Sequence, residues 1–164
     1  MSAKQANHGP AAQATRYVRP STPVGQLTGR IGNSLVAALT GMGVSLYGSR
    51  VLYVRGRTSG QWRSTPVNPL TVGGHRYLVA PRGHTQWVRN LRAAGSGELR
   101  RGRTVERFTA TEVPDEAKPE ILRAYLRKWK FEVGMFFDGV GPDASDARLA
   151  EIAPGYPVFE ITTA

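Results

Sequence analysis

The stretch from Arg55 to Pro66, RGRTSGQWRSTP, concentrates residues able to hold an anion. Three arginines, Arg55, Arg57 and Arg63, surround a turn made of Thr58, Ser59 and Gly60. Such a turn presents backbone N–H groups and hydroxyls, and guanidinium forks bind phosphate and carboxylate oxygens two at a time. The same residues also describe a solvated turn with no ligand. A second cluster, PRGHTQW from Pro81 to Trp87, leaves a strand end, passes Arg82 and Gly83, and reaches a helix start at Thr85. The unpaired N–H groups of a helix start add to an anion site. Trp62 and Trp87 read first as core residues, and Asn90 as a helix-face residue.

Charge agrees with an anionic partner. Lys and Arg total 22 against 12 Asp and Glu, a formal net charge of +10 in 164 residues. Nucleic acid, acidic lipid and a phosphorylated small molecule all satisfy that balance. The absence of cysteine removes disulfides, thiolate metal sites and thiol catalysis. His8, His75 and His84 are too scattered for a metal site, so none is expected. Neither a GxSxG elbow nor a Walker-type phosphate loop is present, which weakens hydrolase readings.

The elements that must position these clusters are mostly strands. Residues 1 to about 20 are small, polar and without a signal-peptide apolar run, and they read as a loose tail before one domain from 21 to 164. Thr22 and Pro23 open an N-terminal helix with Ile31, Leu35 and Leu39 on one face and Gly41 and Gly43 at its end. That stripe packs on the domain or, beside Arg30, touches a membrane surface; Ile31 to Ser49 is too polar to span one. Strands are expected over Ser49–Val54, Trp62–Val72 and His75–Ala80, with Pro66 and Pro69 marking an edge or a bulge. A short helix from Thr85 to Ala94 follows, then a strand pair, Gly97–Arg101 and Thr104–Val113. Pro114 opens a helix with Leu122, Tyr125, Leu126 and Trp129 on one face. Lys130 to Pro154 reads as a long loop with a short helix near Leu149, and Pro157–Thr162 as the closing strand. About six strands and three helices in mixed order predict a mainly β, α+β domain, a small barrel with an N-terminal helix and two further helices.

In order, GRTSGxxR (Gly56–Arg63), a proline-bearing strand, YLVA (Tyr77–Ala80) before Arg82-Gly83, WxxNL (Trp87–Leu91) and PVFEI (Pro157–Ile161) resemble the deazaflavin-dependent nitroreductase family of actinobacteria. The resemblance covers about residues 30 to 128 and 154 to 162. It implies an FMN-binding-like split β-barrel that uses reduced coenzyme F-420 to reduce a quinone, nitro compound or activated enone, and the polar N-terminus without a signal-peptide run adds the expectation of a cytoplasmic protein. It further implies that Arg57, Thr58, Ser59, Gly60 and Arg63, with Arg55 beside them, hold the cofactor's phosphate and acidic tail. Thr58 stands where the family often has lysine. Thr65, Pro66, Ala80 and Pro81 would line the deazaflavin ring. Arg82 would add an anion contact, and Trp87 and Asn90 would shape the wall.

In such chemistry the protein positions the cofactor and stabilises charge that builds on the acceptor. The family's C-terminal tyrosines are missing here: the region reads FEVGMFFDGVG. Phe136 and Phe137 can stack on a flat substrate without donating a proton. Tyr156 and the more core-like Tyr125 are the remaining candidate donors, alongside solvent, and no catalytic acid is assigned. The alternatives are FMN as cofactor, a non-catalytic binder of flavin, deazaflavin, tetrapyrrole or lipid-like ligand, and a basic nucleic-acid module. The last is disfavoured because the basic residues cluster at turns. Pairing into a homodimer through an edge near Pro66 is a further expectation from fold analogy.

Overall fold

The computed structural model describes residues 13–18 and 48–164. The expected N-terminal helix and its membrane contact lie outside the described residues, as does His8. Seven strands form one antiparallel sheet: β1 (Arg50–Arg55), β2 (Trp62–Val67), β3 (Leu70–Val72), β4 (His75–Val79), β5 (Ser96–Arg101), β6 (Thr104–Glu112) and β7 (Val158–Thr163). Their order across the sheet is β2-β1-β5-β6-β7-β4-β3. Among the described residues three helices pack on it: α1 (Gln86–Ala94), α2 (Pro119–Val133) and α3 (Asp146–Ile152). The fold is a split β-barrel of α+β class.

The seventh strand comes from the run Trp62–Val72, expected as one. It breaks at Asn68-Pro69, and its two parts, β2 and β3, end on opposite edges of the sheet. Proline fits there because it has no N–H to give to a ladder, and Pro66 sits on edge strand β2 opposite Val51.

The stretch Lys130–Pro154 is also more ordered than a loop. Helix α2 runs to Val133, a 3-10 turn covers Gly134–Phe136, and α3 starts where Ser145 accepts from the Arg148 N–H at 3.1 Å. Arg123 holds the intervening turn by donating to the carbonyls of Pro142 (2.7 Å) and Ala144 (2.8 Å) and to Asp146. Lys118, buried, donates to Asp115 at 2.6 Å and to the Ala153 carbonyl at 3.1 Å, so its buried charge is paired.

Strands β4 and β7 lie between two cores. Their side chains alternate, so Val79 and Val158 join one cluster while Leu78, Phe159 and Ile161 join the other. Helix α1 closes the second cluster through Val88 and Leu91, against Leu52, Val54, Leu99 and Phe108. Helices α2 and α3 close the first through Leu122, Leu126, Trp129, Leu149 and Ile152. Tyr125 is in this core, as the helical pattern predicts.

Phe137 and Tyr156 belong to the same core and correct two expectations. Phe137 is fully buried, its ring stacked on Tyr156 with centroids 4.2 Å apart. No face of it is open to a flat substrate. Tyr156 is 1% exposed, and its hydroxyl donates to the Phe136 carbonyl at 2.5 Å. Burial, above all, pushes that hydroxyl's pKa up to about 12, which makes it a poor proton donor.

Two outcomes test this packing. A Cβ on Gly97 would lie 2.8 Å from the Tyr53 carbonyl oxygen and 2.9 Å from the Phe108 ring. Gly97→Ala should therefore destabilise the fold by roughly 1–3 kcal/mol in urea denaturation. For Tyr156, the unfolded chain releases the phenolic proton near 10.0 and the folded chain only near 12. The unfolded state thus binds fewer protons in that window, and stability present below pH 10 is lost as pH rises toward 12. Tyr156→Phe keeps the ring stack and should flatten this alkaline decline, read as the urea midpoint on either side of pH 10.

Candidate anion and cofactor site at the start of the first helix

The β1–β2 hairpin closes tightly because glycine permits it. The Gly56 N–H donates to the Gln61 carbonyl and the Gly60 N–H to the Gly56 carbonyl, each at 2.8 Å, with Gly60 at φ 68°. The Ser59 hydroxyl accepts from the Gln61 N–H at 3.2 Å, so one oxygen of the turn serves the turn itself. What fixes the hairpin in space is Asn90. Its buried side-chain oxygen accepts from the Arg57 backbone N–H at 3.2 Å and from Arg57 Nη1 at 2.8 Å. Nη1 also donates to Gln86 Oε1 at 2.9 Å. Gln86 and Asn90 stand four apart and so share one face of α1.

Arg57 is thereby held at the first turn of α1, and the two sequence clusters meet there. No acidic residue occupies that turn, and Thr85, at its N-cap, does not cap it. The Thr85 hydroxyl and Arg82 Nε are buried without a hydrogen-bond partner among the described residues. Arg82 is half-buried, its guanidinium 5.9 Å from the centre of the Phe136 ring, and burial lowers its pKa while leaving it cationic at neutral pH. Gly83, at φ 86°, makes the bend between Arg82 and the helix. His84 Nε2 lies 3.0 Å from the Pro154 carbonyl, and His75 pairs with Glu160 at 2.6 Å. Among the described residues, no group of three metal-type ligands converges.

The pleat sorts the other expected residues. Arg63 lies opposite Val54 and Thr65 opposite Leu52, so both share the face that α1 covers. Arg55 lies opposite Trp62 on the other face. There its guanidinium stacks 4.1 Å over the Trp62 ring and donates to the Gly60 carbonyl at 3.1 Å. Arg55 therefore lies on the opposite face from Arg63, and Trp62 is exposed rather than core. Pro66 also falls on the face opposite Thr65. Ala80 is fully buried, Pro81 is half-buried, and Trp87 packs at 6.1 Å on Phe159.

The Arg57 partner Gln86 was missed by the sequence reading, although its i, i+4 spacing from Asn90 was available. Arg16 was missed as well. Within the expected tail, residues 13–18 are held against the Ala80–His84 loop, with the Val18 N–H donating to the Arg82 carbonyl at 2.8 Å. Among the described residues, no helix is long and apolar enough to cross a membrane.

No curated protein matches this chain by sequence. Among solved structures it is similar to one described as an F420-H2 dependent reductase (FDR-A), at 18% identity over 71% of this chain and 95% of that one, TM-score 0.49. It is also similar to one described as a domain-swapped dimer, at 19% identity over 74% of this chain and 85% of that one. That likeness, TM-score 0.51, is one of fold. The family model described as "F420H(2)-dependent quinone reductase" matches residues 28–132, well over half of the chain. This span contains the hairpin, the Ala80–His84 loop, α1 and nearly all of α2, and the chain belongs to that family of coenzyme F-420-dependent oxidoreductases.

Proposed function

We propose that the protein takes a hydride from reduced coenzyme F-420 and delivers it to a quinone-type acceptor. The observation that supports this most is the convergence at the α1 N-terminus. Arg57 is fixed there, Arg82 Nε and the Thr85 hydroxyl are buried without partners among the described residues, and the first turn of the helix contains no acidic residue. Donors buried without acceptors are costly, and an anion in their midst is the group that completes them. Coenzyme F-420 carries a phosphodiester and a glutamate tail, so the donor set fits it.

Arg57, Thr58, Gly60 and Arg63 are the residues to hold the acidic part, with Ser59 contributing through the turn. Arg82 and Thr85 take the end nearer the loop. Thr65 and Pro81 flank the space for the ring system, with Trp87 and Asn90 behind them. When bound, the deazaflavin supplies the hydride from its ring carbon. Reduction leaves negative charge on the acceptor oxygen, and a half-buried guanidinium stabilises it more strongly than the same group in water would. Arg82 is that group, beside the half-buried Phe136 ring as the wall for a flat acceptor. With the Tyr156 hydroxyl bound to a carbonyl, the proton comes from solvent. A nitro compound or activated enone builds charge in the same position and is an acceptor of the same class.

Titration of the protein with oxidised coenzyme F-420, followed by fluorescence quenching, tests the reading. Micromolar binding should be lost in Arg57→Ala/Arg63→Ala, with FMN binding weakly or not at all. Equal binding of FMN, or no binding of either, would overturn the cofactor assignment. Asn90→Ala should release Arg57, lowering stability by roughly 1–3 kcal/mol in thermal unfolding and weakening deazaflavin binding in the same titration.

A further inference from the structure

Residues Gln13–Val18 run across the loop that carries Arg82. Tyr17 forms an antiparallel bridge with Gly83, and the His84 N–H donates to the Arg16 carbonyl at 2.8 Å. The surface is shaped to admit this segment. A Cβ on Gly83 would lie 2.1 Å from the Arg16 carbonyl oxygen, and one on Gly155 would lie 2.0 Å from Gln13 Oε1. The Arg16 guanidinium stacks 4.3 Å over the Tyr156 ring. It donates to the Pro81 carbonyl at 2.9 Å and also to the Phe136 carbonyl, which takes the Tyr156 hydroxyl as well. One planar fork thus bridges two segments far apart in sequence, a geometry lysine cannot reproduce.

We propose that Arg16 is a positioning residue for the site, setting the distance between the Pro81–His84 loop and the Phe136 segment. The proposal rests on the cofactor reading above. On that reading Pro81 flanks the cofactor ring while Arg82 and Phe136 face the acceptor, and Pro81 and Phe136 are tied to the same guanidinium. The N-terminal segment is then part of the binding machinery, because its loss lets the two walls drift. A segment that merely stapled the fold would change stability and leave binding alone.

The test uses the full chain with Arg16→Met, which keeps the apolar stem, and Arg16→Lys, which keeps the charge. Amide exchange at His84, affinity for oxidised coenzyme F-420 and the KM for menadione are measured for each. Arg16→Met should speed exchange at His84 and raise both the cofactor Kd and the quinone KM about tenfold, the loss of about one charge-assisted hydrogen bond. Arg16→Lys should recover part of each. Variants that melt at lower temperature with wild-type exchange, Kd and KM would overturn the proposal. Should the wild type bind no deazaflavin, the cofactor reading fails instead. Exchange at His84 then still decides whether Arg16 holds the loop, faster exchange supporting the proposal and unchanged exchange overturning it.

Discussion

Strand β7 is the constraint on which the molecule depends. It pairs with β6 on one side and β4 on the other, joining a four-stranded run, β2-β1-β5-β6, to the pair β4-β3. Without it the backbone groups facing it from β4 and β6 would lose their partners, and the two cores would lose their shared wall. Its alternation does the joining: Val158 enters the core under α2 and α3, and Phe159 and Ile161 enter the core under α1. A strand buried on both faces cannot slip by a residue without exchanging the two sets of side chains.

The site follows from how that frame seats α1. The helix packs its Val88 and Leu91 face on the sheet, which leaves Gln86 and Asn90 facing the hairpin. Asn90 spends its oxygen on Arg57, and in doing so turns a mobile type of element, an arginine-rich turn, into a fixed wall. The net charge of +10 then has local meaning, because many of the outer arginines already have carboxylate partners. Arg76 pairs with Glu106, Arg92 with Glu112 and Arg100 with Glu98, the last holding that carboxyl below its usual range. Arg82 is set apart by its burial and by a guanidinium nitrogen without a partner among the described residues.

A second economy is visible around Tyr156. Its ring stacks on Phe137 and under Arg16, and its hydroxyl meets the Phe136 carbonyl. A tyrosine that looks like a proton donor in the sequence is in the folded chain a junction between the C-terminal elements and the N-terminal strap.

Local signals were legible where the residue itself carries the physics. The short helix from Thr85, the α2 stripe, the edge position of Pro66 and the motif order that marks the family could all be read from residue type and spacing. So could an arginine turn and a helix start, as two separate clusters; only the fold brings them together. Other features depended on contacts between residues distant in sequence, which no local pattern encodes. Arg55 and Arg63 look equivalent in the hairpin, yet the pleat sends them to opposite faces. Phe136 and Phe137 are neighbours, yet one lies beside Arg82 and the other is sealed in the core. The tail reads as polar and loose because its partners, Pro81, Gly83, Phe136 and Gly155, are 65 to about 140 residues away. Composition and periodicity determined which elements form and what chemistry they can carry. The tertiary structure alone decided which face each side chain meets, because burial and hydrogen-bond partners are set by the packing of elements against one another.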